Sequence, residues 1–211
     1  MIIRKYGIEL HQLQHNDIEL LRTQRNKDTL RSKMLDQAII TPAQQEKWFA
    51  SISNINNFYC VIQHEGKKIG LAHSKNIDWD KKEDEGGMFI WDEDYWKTGI
   101  AAKSSIIMMQ FCFDIARLKR TFAHVHQDNL AAREFNVSLG YTAIGTSNKM
   151  VLTHEIYKER IHKLRWIASA GKDTAPLSLS DIEIPPEQYT LPQYQNLPIA
   201  VQDFFYSPAK K

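Results

Sequence analysis

The sequence predicts an α/β domain, of the α+β kind, on three observations. Apolar runs on either side of the turn His64-Glu65-Gly66-Lys67 read as a strand hairpin over 58–77. A short apolar strand at 87–91 leads through a single-glycine turn into an amphipathic stretch at 100–118. Helical patterns flank these strands on both sides in the chain.

The elements follow in order. Ile8 to Leu13 alternates and reads as a first strand. Asp17 can cap a helix carrying Ile18, Leu20 and Leu21 as far as Asn26. Asp28 can start a short second helix with Leu30, Met34 and Leu35. Thr41-Pro42 places a capping hydroxyl before a proline at the first helical position, and that helix turns Trp48, Phe49 and Ile52 inward. Phe58–Gln63 and Lys68–Ile77 are the hairpin strands, and 78–85 reads as a charged loop. Gly87 to Trp91 is a buried strand, Ile100 to Leu118 a helix and Thr121 to Val125 a strand. Asn129 to Leu139 is a helix stopped by Gly140. Residues 141–145 and 149–153 form a last hairpin.

The pattern changes near residue 153, so a domain is expected over 1–153 and an extension over 154–211. The extension opens with a helix from His154 to Ala170. Six of the seven prolines (176, 185, 186, 192, 198, 208) lie beyond Gly171, which rules out regular helix or sheet there. That stretch also carries Tyr189, Leu191, Tyr194, Phe204 and Phe205, too many apolar groups for a plain solvated tail. It is expected to lie across its own domain or a partner subunit, and a homodimer is compatible with it.

Composition excludes several classes of function. A net charge of +2, with Lys and Arg interleaved among Asp and Glu, gives no basic face for nucleic acid. No run approaches the roughly 18 apolar residues of a membrane helix. Met1-Ile2-Ile3 is followed at once by Arg4-Lys5, unlike a secretion signal, so a cytoplasmic location is expected. Cys60 and Cys112 sit in apolar runs and read as buried thiols of a reducing compartment.

The segment with the most chemistry is strand–turn–Gly99–helix. A helix start presents unpaired N–H groups and a partial positive charge, and glycine lets a ligand approach the backbone. Small Ala101 and Ala102 keep the first turn uncrowded. No Gly-Lys-Ser/Thr closes the turn, and no further glycines make it a dinucleotide fingerprint. Taken alone, the turn is also compatible with a plain capped helix.

About 30 residues on stands Asn129-Leu130-Ala131-Ala132-Arg133, then Phe135 and Leu139-Gly140-Tyr141. Together with Trp96-x-x-Gly99-x-Ala101, this resembles the GNAT superfamily of N-acetyltransferases over roughly residues 7 to 153. The resemblance implies a mixed, mostly antiparallel sheet splayed in the middle and flanked by helices, with acetyl-CoA as the donor. It implies that the turn Trp96, Lys97, Thr98, Gly99, Ile100, Ala101, Ala102 and Lys103 holds the CoA pyrophosphate. Asn129 and Arg133 would lie beside the pantetheine, and amides near Ile90 and Trp91 would hold the thioester oxygen. Arg25-Asn26, Leu30-Arg31, Met34 and Trp48-Phe49 are similar to a branch that acetylates nucleotide-linked 4-amino sugars. Gln45 stands where that branch often has His.

On this resemblance Arg25, Asn26, Arg31, Met34 and Trp48 are expected to line an acceptor site for a small-molecule amine, a nucleotide sugar. A protein N-terminus or a polyamine is the alternative acceptor, and a CoA-binding sensor or scaffold is the non-enzymatic alternative. Glu85, His73 and Asp78 are candidates for the base, beside a water chain. Relatives often place a tyrosine acid where Asn136 stands, so no tyrosine acid is expected there; a thiolate with a reference pKa of about 8.5 leaves adequately without one. His124-x-His126 puts two imidazoles on one strand face, but no third ligand is evident nearby. The pair reads as structural or solvent-facing, and no metal is expected.

Overall fold

The computed structural model describes residues 1–185. The greater part of the proline-rich stretch, 186–211, lies outside the described residues. The strands are β1 (Ile2–Lys5), β2 (Ile8–Gln12), β3 (Phe58–His64), β4 (Lys67–Asp78), β5 (Glu83–Ile90), β6 (Arg120–His124), β7 (Thr142–Ala143), β8 (Lys149–Thr153) and β9 (Ile182–Glu183). The helices are α1 (Ile18–Arg25), α2 (Asp28–Arg31), α3 (Pro42–Ile52), α4 (Ile100–Gln110), α5 (Leu130–Leu139) and α6 (His154–Ser169). Among the described residues the strands form one sheet in the order β7-β8-β6-β5-β4-β3-β2-β1-β9.

Neighbouring strands are antiparallel except β5 and β6. Those two are joined through α4, and a strand–helix–strand crossover returns the chain parallel. Their pairing is short: Glu83 faces Arg120, Asp84 faces Thr121 and Glu85 faces Phe122. Beyond Glu85 the strand β5 stays on β4 as far as Ile90 and leaves β6 behind. The sheet forks there.

Residue alternation assigns the two faces of β5. Glu85, Gly87 and Phe89 share a face with their β4 partners Lys75, His73 and Leu71. Leu21 and Leu30 of α1 and α2 cover that face together with Trp48 and Phe49 of α3, over Tyr59, Val61, Leu71 and Trp91. Thr41 caps α3 as expected, and Gln44 returns a bond to the Thr41 amide. The opposite face carries the main core, where Ile100, Ile106 and Ile107 of α4 meet Phe58, Cys60, Ile62 and Ala72. Both cysteines are buried free thiols.

Four elements differ from the expectation. β9 is a strand beyond Gly171, where no regular sheet was expected; Ile182–Glu183 falls between Pro176 and Pro185 and is free to pair with β1. β1 was not foreseen: Tyr6 (φ 55°) and Gly7 (φ 75°) make a tight turn that folds Ile2–Lys5 back on β2. β5 starts at Glu83, inside the expected charged loop, because its charges find partners across the sheet. Arg120 reaches Glu83 at 2.9 Å, Lys75 reaches Glu85 at 2.8 Å, and Ser74 donates to buried Asp84. The helix expected over 100–118 is α-helical to Gln110 and continues as one π-turn, Phe111–Ile115, which sends Phe111, Cys112 and Phe113 into the core.

Residues 154–185 share the main core through Tyr157, Ile161, Leu164 and Leu177. β9 extends the sheet by pairing with β1, and the buried Lys5 ammonium meets Asp173 at 3.3 Å and Asp181 at 3.4 Å.

Candidate active site

The fork opens a cleft of about 840 Å³ that runs from the loop after α2, past β5, to α5. Its floor is the freed edge of β5. The Trp91 amide donates to the Ile69 carbonyl at 2.9 Å, so residues 91, 89, 87 and 85 direct their amides at β4. Met88 and Ile90 therefore present theirs to the open edge. This corrects the expectation for Trp91, whose amide is taken and whose ring is buried with α1–α3. Ile90 keeps its place on the edge, and its carbonyl accepts the Trp96 indole N–H at 3.1 Å.

That bond anchors the turn that follows. Lys97 (φ 63°) and Gly99 (φ 85°) both take the left-handed conformation, and Gly99 is the N-cap of α4. Thr98 bonds back to the Tyr95 carbonyl at 2.7 Å. Gly99 has no side chain to cap α4, the Ile100 amide meets Thr98 Oγ1 only at 3.5 Å, and Lys103 makes the first backbone bond to Gly99 at 3.0 Å. The amides of Ala101 and Ala102, in the first turn, have no intrahelical acceptor, and nothing lies within 4 Å of where a Gly99 Cβ would stand. An anion with several oxygens fits such a helix start. Lys33, from the loop after α2, lies over the Trp96 ring at 4.2 Å and ties that loop to this turn.

α5 forms the other wall. Asn129 caps it by accepting from the Ala132 amide at 3.2 Å, and Ala132, Phe135 and Asn136 line the cleft. The Asn136 amide nitrogen bonds the Ala132 carbonyl at 2.8 Å. Arg133 does not line the cleft, although its Nη1 is buried without a partner.

The three base candidates separate. Asp78 lies away from the cleft and binds the Lys81 ammonium at 2.7 Å, which holds its carboxyl below the usual range; it shapes the β4–β5 connection. His73 lines the cleft, stacks on Tyr59 with ring centres 5.0 Å apart, and is pushed down to about 4 by burial, with Lys75 adding to the effect. Its Nδ1 is buried without a hydrogen-bond partner. Glu85 also lines the cleft. Burial raises its pKa, but the Lys75 hydrogen bond and charge, with His124 and His73, outweigh this and hold it below its ordinary value.

His124 was set aside on sequence grounds, yet it lines the cleft with Nδ1 at 3.3 Å from the Glu85 carboxylate. The sequence signals for it were its pairing with His126 and its position at the end of β6. His126 also reaches the cleft and pairs with Asp128 at 3.5 Å.

The polar residues expected at the acceptor side mostly hold the loop after α2. Asn26 donates to the Ile40 carbonyl at 2.8 Å and accepts from the Ile40 amide at 2.9 Å, so both ends of its amide are used. Arg31 bonds the Gln37 carbonyl at 3.2 Å, pairs with Asp28, and does not line the cleft. Arg25 bonds the Asp36 carbonyl at 2.7 Å but also lines the cleft, with Nη1 buried and unpartnered. Met34 and Trp48 also line the cleft. Gln45 is a further lining residue, buried, with its amide nitrogen unpartnered.

Comparison with known proteins bears on this arrangement. A family model described as an acetyltransferase (GNAT) domain matches residues 8–142. Spermidine N-acetyltransferase from Vibrio cholerae, solved in complex with CoA and spermine, superposes with a TM-score of 0.64 at 16% identity, over 73% of this chain and 99% of that one. Aminoglycoside acetyltransferase AAC(6')-Ib in complex with coenzyme A gives 0.62 at 14%, over 72% and 98%. A domain from Methanocaldococcus jannaschii gives 0.59 at 19%, over 68% and 95%. No curated protein matches the sequence.

Proposed function

The chain belongs to the acetyltransferase (GNAT) family, and from that premise we propose that it transfers an acetyl group from acetyl-CoA to the amine of a nucleotide-activated amino sugar. As a GNAT N-acetyltransferase it uses acetyl-CoA. The start of α4 suits the CoA diphosphate, since the Ala101 and Ala102 amides have no intrahelical partner, only a long 3.5 Å contact to Thr98 Oγ1 meets the Ile100 amide, and Gly99 leaves the approach open. The edge amides of Met88 and Ile90 suit the thioester oxygen, where negative charge grows during attack. Asn129 and Asn136 stand on the opposite wall, placed to flank the extended arm of the donor.

The acceptor assignment rests on one observation, the charge of the cleft beside the loop after α2. Arg25, Lys33 and Lys75 face Asp36 and Glu85 there, and the Glu85 carboxylate is already bound to Lys75. Polyamines and aminoglycosides carry several positive charges and need carboxylates without such partners. A cavity with an excess of cations, one of them a guanidinium with a buried unpartnered Nη1, suits an acceptor that carries phosphate.

Thiol release from acetyl-CoA, measured with a UDP-linked 4-amino sugar, spermidine and kanamycin, tests this reading. The sugar nucleotide is expected to give the highest kcat/KM, and Arg25→Ala to lower it at least tenfold. A higher kcat/KM with spermidine or kanamycin overturns the acceptor assignment and leaves the donor site standing.

A further inference from the structure

We propose that His124 takes the proton from the acceptor ammonium, with Glu85 as its positioning partner and not itself the base. The proposal rests on the N-acetyltransferase reading but not on the identity of the acceptor.

Four observations carry it. Glu85 is the last β5 residue paired with β6, opposite Phe122, and His124 lies two residues further on the same face. The ring therefore stands at the fork, where β5 has just turned away. Second, Nδ1 faces the Glu85 carboxylate at 3.3 Å. In the proposed arrangement the neutral ring carries its proton on Nδ1, toward this carboxylate, and keeps the Nε2 lone pair for the acceptor. Third, the His124 side chain is 37% exposed, so an acceptor can reach it. Fourth, the two base candidates from the sequence that line the cleft, Glu85 and His73, are less suited. The Glu85 oxygen nearest His124 is also the one bound to Lys75 at 2.8 Å, and the His73 ring lies against Gly87, where no side chain would fit.

The proton balance is simple. The acceptor R–NH3⁺ gives one proton to Nε2 and becomes R–NH2. Its lone pair forms the N–C bond to the acetyl carbon, and the C–S bond breaks with its electron pair passing to sulfur. A second amine proton passes to sulfur to give the thiol, and His124 returns the first proton to water. The charged groups at the ring are Glu85 on β5, whose same oxygen also holds Lys75 of β4, and Lys149, its register partner on β8.

Two measurements test the proposal. In wild-type protein with CoA bound, ¹⁵N NMR of the imidazoles is expected to show neutral His124 as the Nδ1–H tautomer, and Glu85→Gln to move the ring toward the Nε2–H form. An Nε2–H tautomer in the wild type, or a tautomer ratio indifferent to Glu85→Gln, overturns it without any acceptor being known. In the second, kcat is followed against pH with the fastest of the UDP-linked 4-amino sugar, spermidine and kanamycin. His124→Gln is expected to lower kcat about 100-fold with KM within threefold and to remove the acidic limb of the profile. Free imidazole is expected to restore part of the rate to His124→Ala. A His124→Gln enzyme that keeps the acidic limb and a kcat within threefold of wild type overturns the proposal. If none of the three amines releases thiol, the acceptor reading fails and the NMR result alone decides the role of His124.

Discussion

The imidazole of His73 rests directly on the backbone of Gly87: a Cβ built on Gly87 would stand 2.7 Å from both Cε1 and Nε2 of the ring. The two residues are register partners across β4 and β5, so the ring lies over the first stretch of freed strand edge. The glycine at 87 is set by this close approach and not by its backbone angles. Tyr59 holds the ring from the other side.

Gly87→Ala is therefore expected to push His73 off Tyr59 and into the cleft. Overpacking of this kind costs about 1–3 kcal/mol. Urea unfolding should show that loss, and kcat should fall because the ring intrudes on the acceptor path. CoA affinity, set at the start of α4, should change less than twofold. Gly87→Ala/His73→Ala should recover most of the stability lost relative to His73→Ala alone; failure to do so would mean the clash lies elsewhere.

The same burial gives His73 a signature in pH. Its folded value is near 4 against an ordinary 6.5, with burial the main cause. Between those values the unfolded chain binds more protons than the folded one, so the contribution of His73 is full above about 6.5 and is lost as pH falls toward 4. Each unit of depression is worth about 1.4 kcal/mol. His73→Phe keeps a ring on Tyr59 but cannot titrate. Its urea midpoint is expected to fall less steeply over this window than that of the wild type, and parallel curves would refute the assignment.

What the sequence revealed, and what it did not, follows from how far each feature depends on distant partners. The glycine turn at 96–101 and the Gly140 stop of α5 are local chemistry, and both were legible. The start of β5 was not, because Glu83-Asp84-Glu85 reads as solvated until Arg120, Ser74 and Lys75 arrive from other strands. His124 was hidden for the same reason, since only the short β5–β6 pairing brings Glu85 beside it. Asn26 and Arg31 were legible as a cluster but ambiguous in purpose. Spacing alone does not distinguish a side chain that binds a ligand from one that clamps the loop around it.

Asn26 illustrates that second role and gives a third prediction. Its amide brackets the Ile40 backbone from both sides, and Arg22 adds a bond to the same carbonyl at 3.1 Å. Asn26→Ala would leave the Ile40 amide without this acceptor, at a cost of about 1–3 kcal/mol. The loop over 32–40 lines the acceptor side of the cleft. The acceptor KM is thus expected to rise several-fold while CoA affinity holds, and amide hydrogen exchange in the loop should quicken. A variant with unchanged loop exchange would show that Arg22 and Arg25 suffice.

Gly99 differs from Gly87 in the reason it is glycine, and substitution can separate the two reasons. The space where its Cβ would stand is empty, so size is no obstacle. Its φ of 85° is the obstacle, and a side chain there costs about 1–2 kcal/mol. Gly99→Val, β-branched and ill-suited to that region, should rotate the turn, turn the first α4 amides away and weaken CoA about tenfold or more. Gly99→Asn tolerates the left-handed region far better and should keep most of the affinity. Isothermal titration with CoA distinguishes the two. Equal losses for Val and Asn would point to a ligand packed against Gly99, and unchanged binding for both would move the diphosphate site away from this turn.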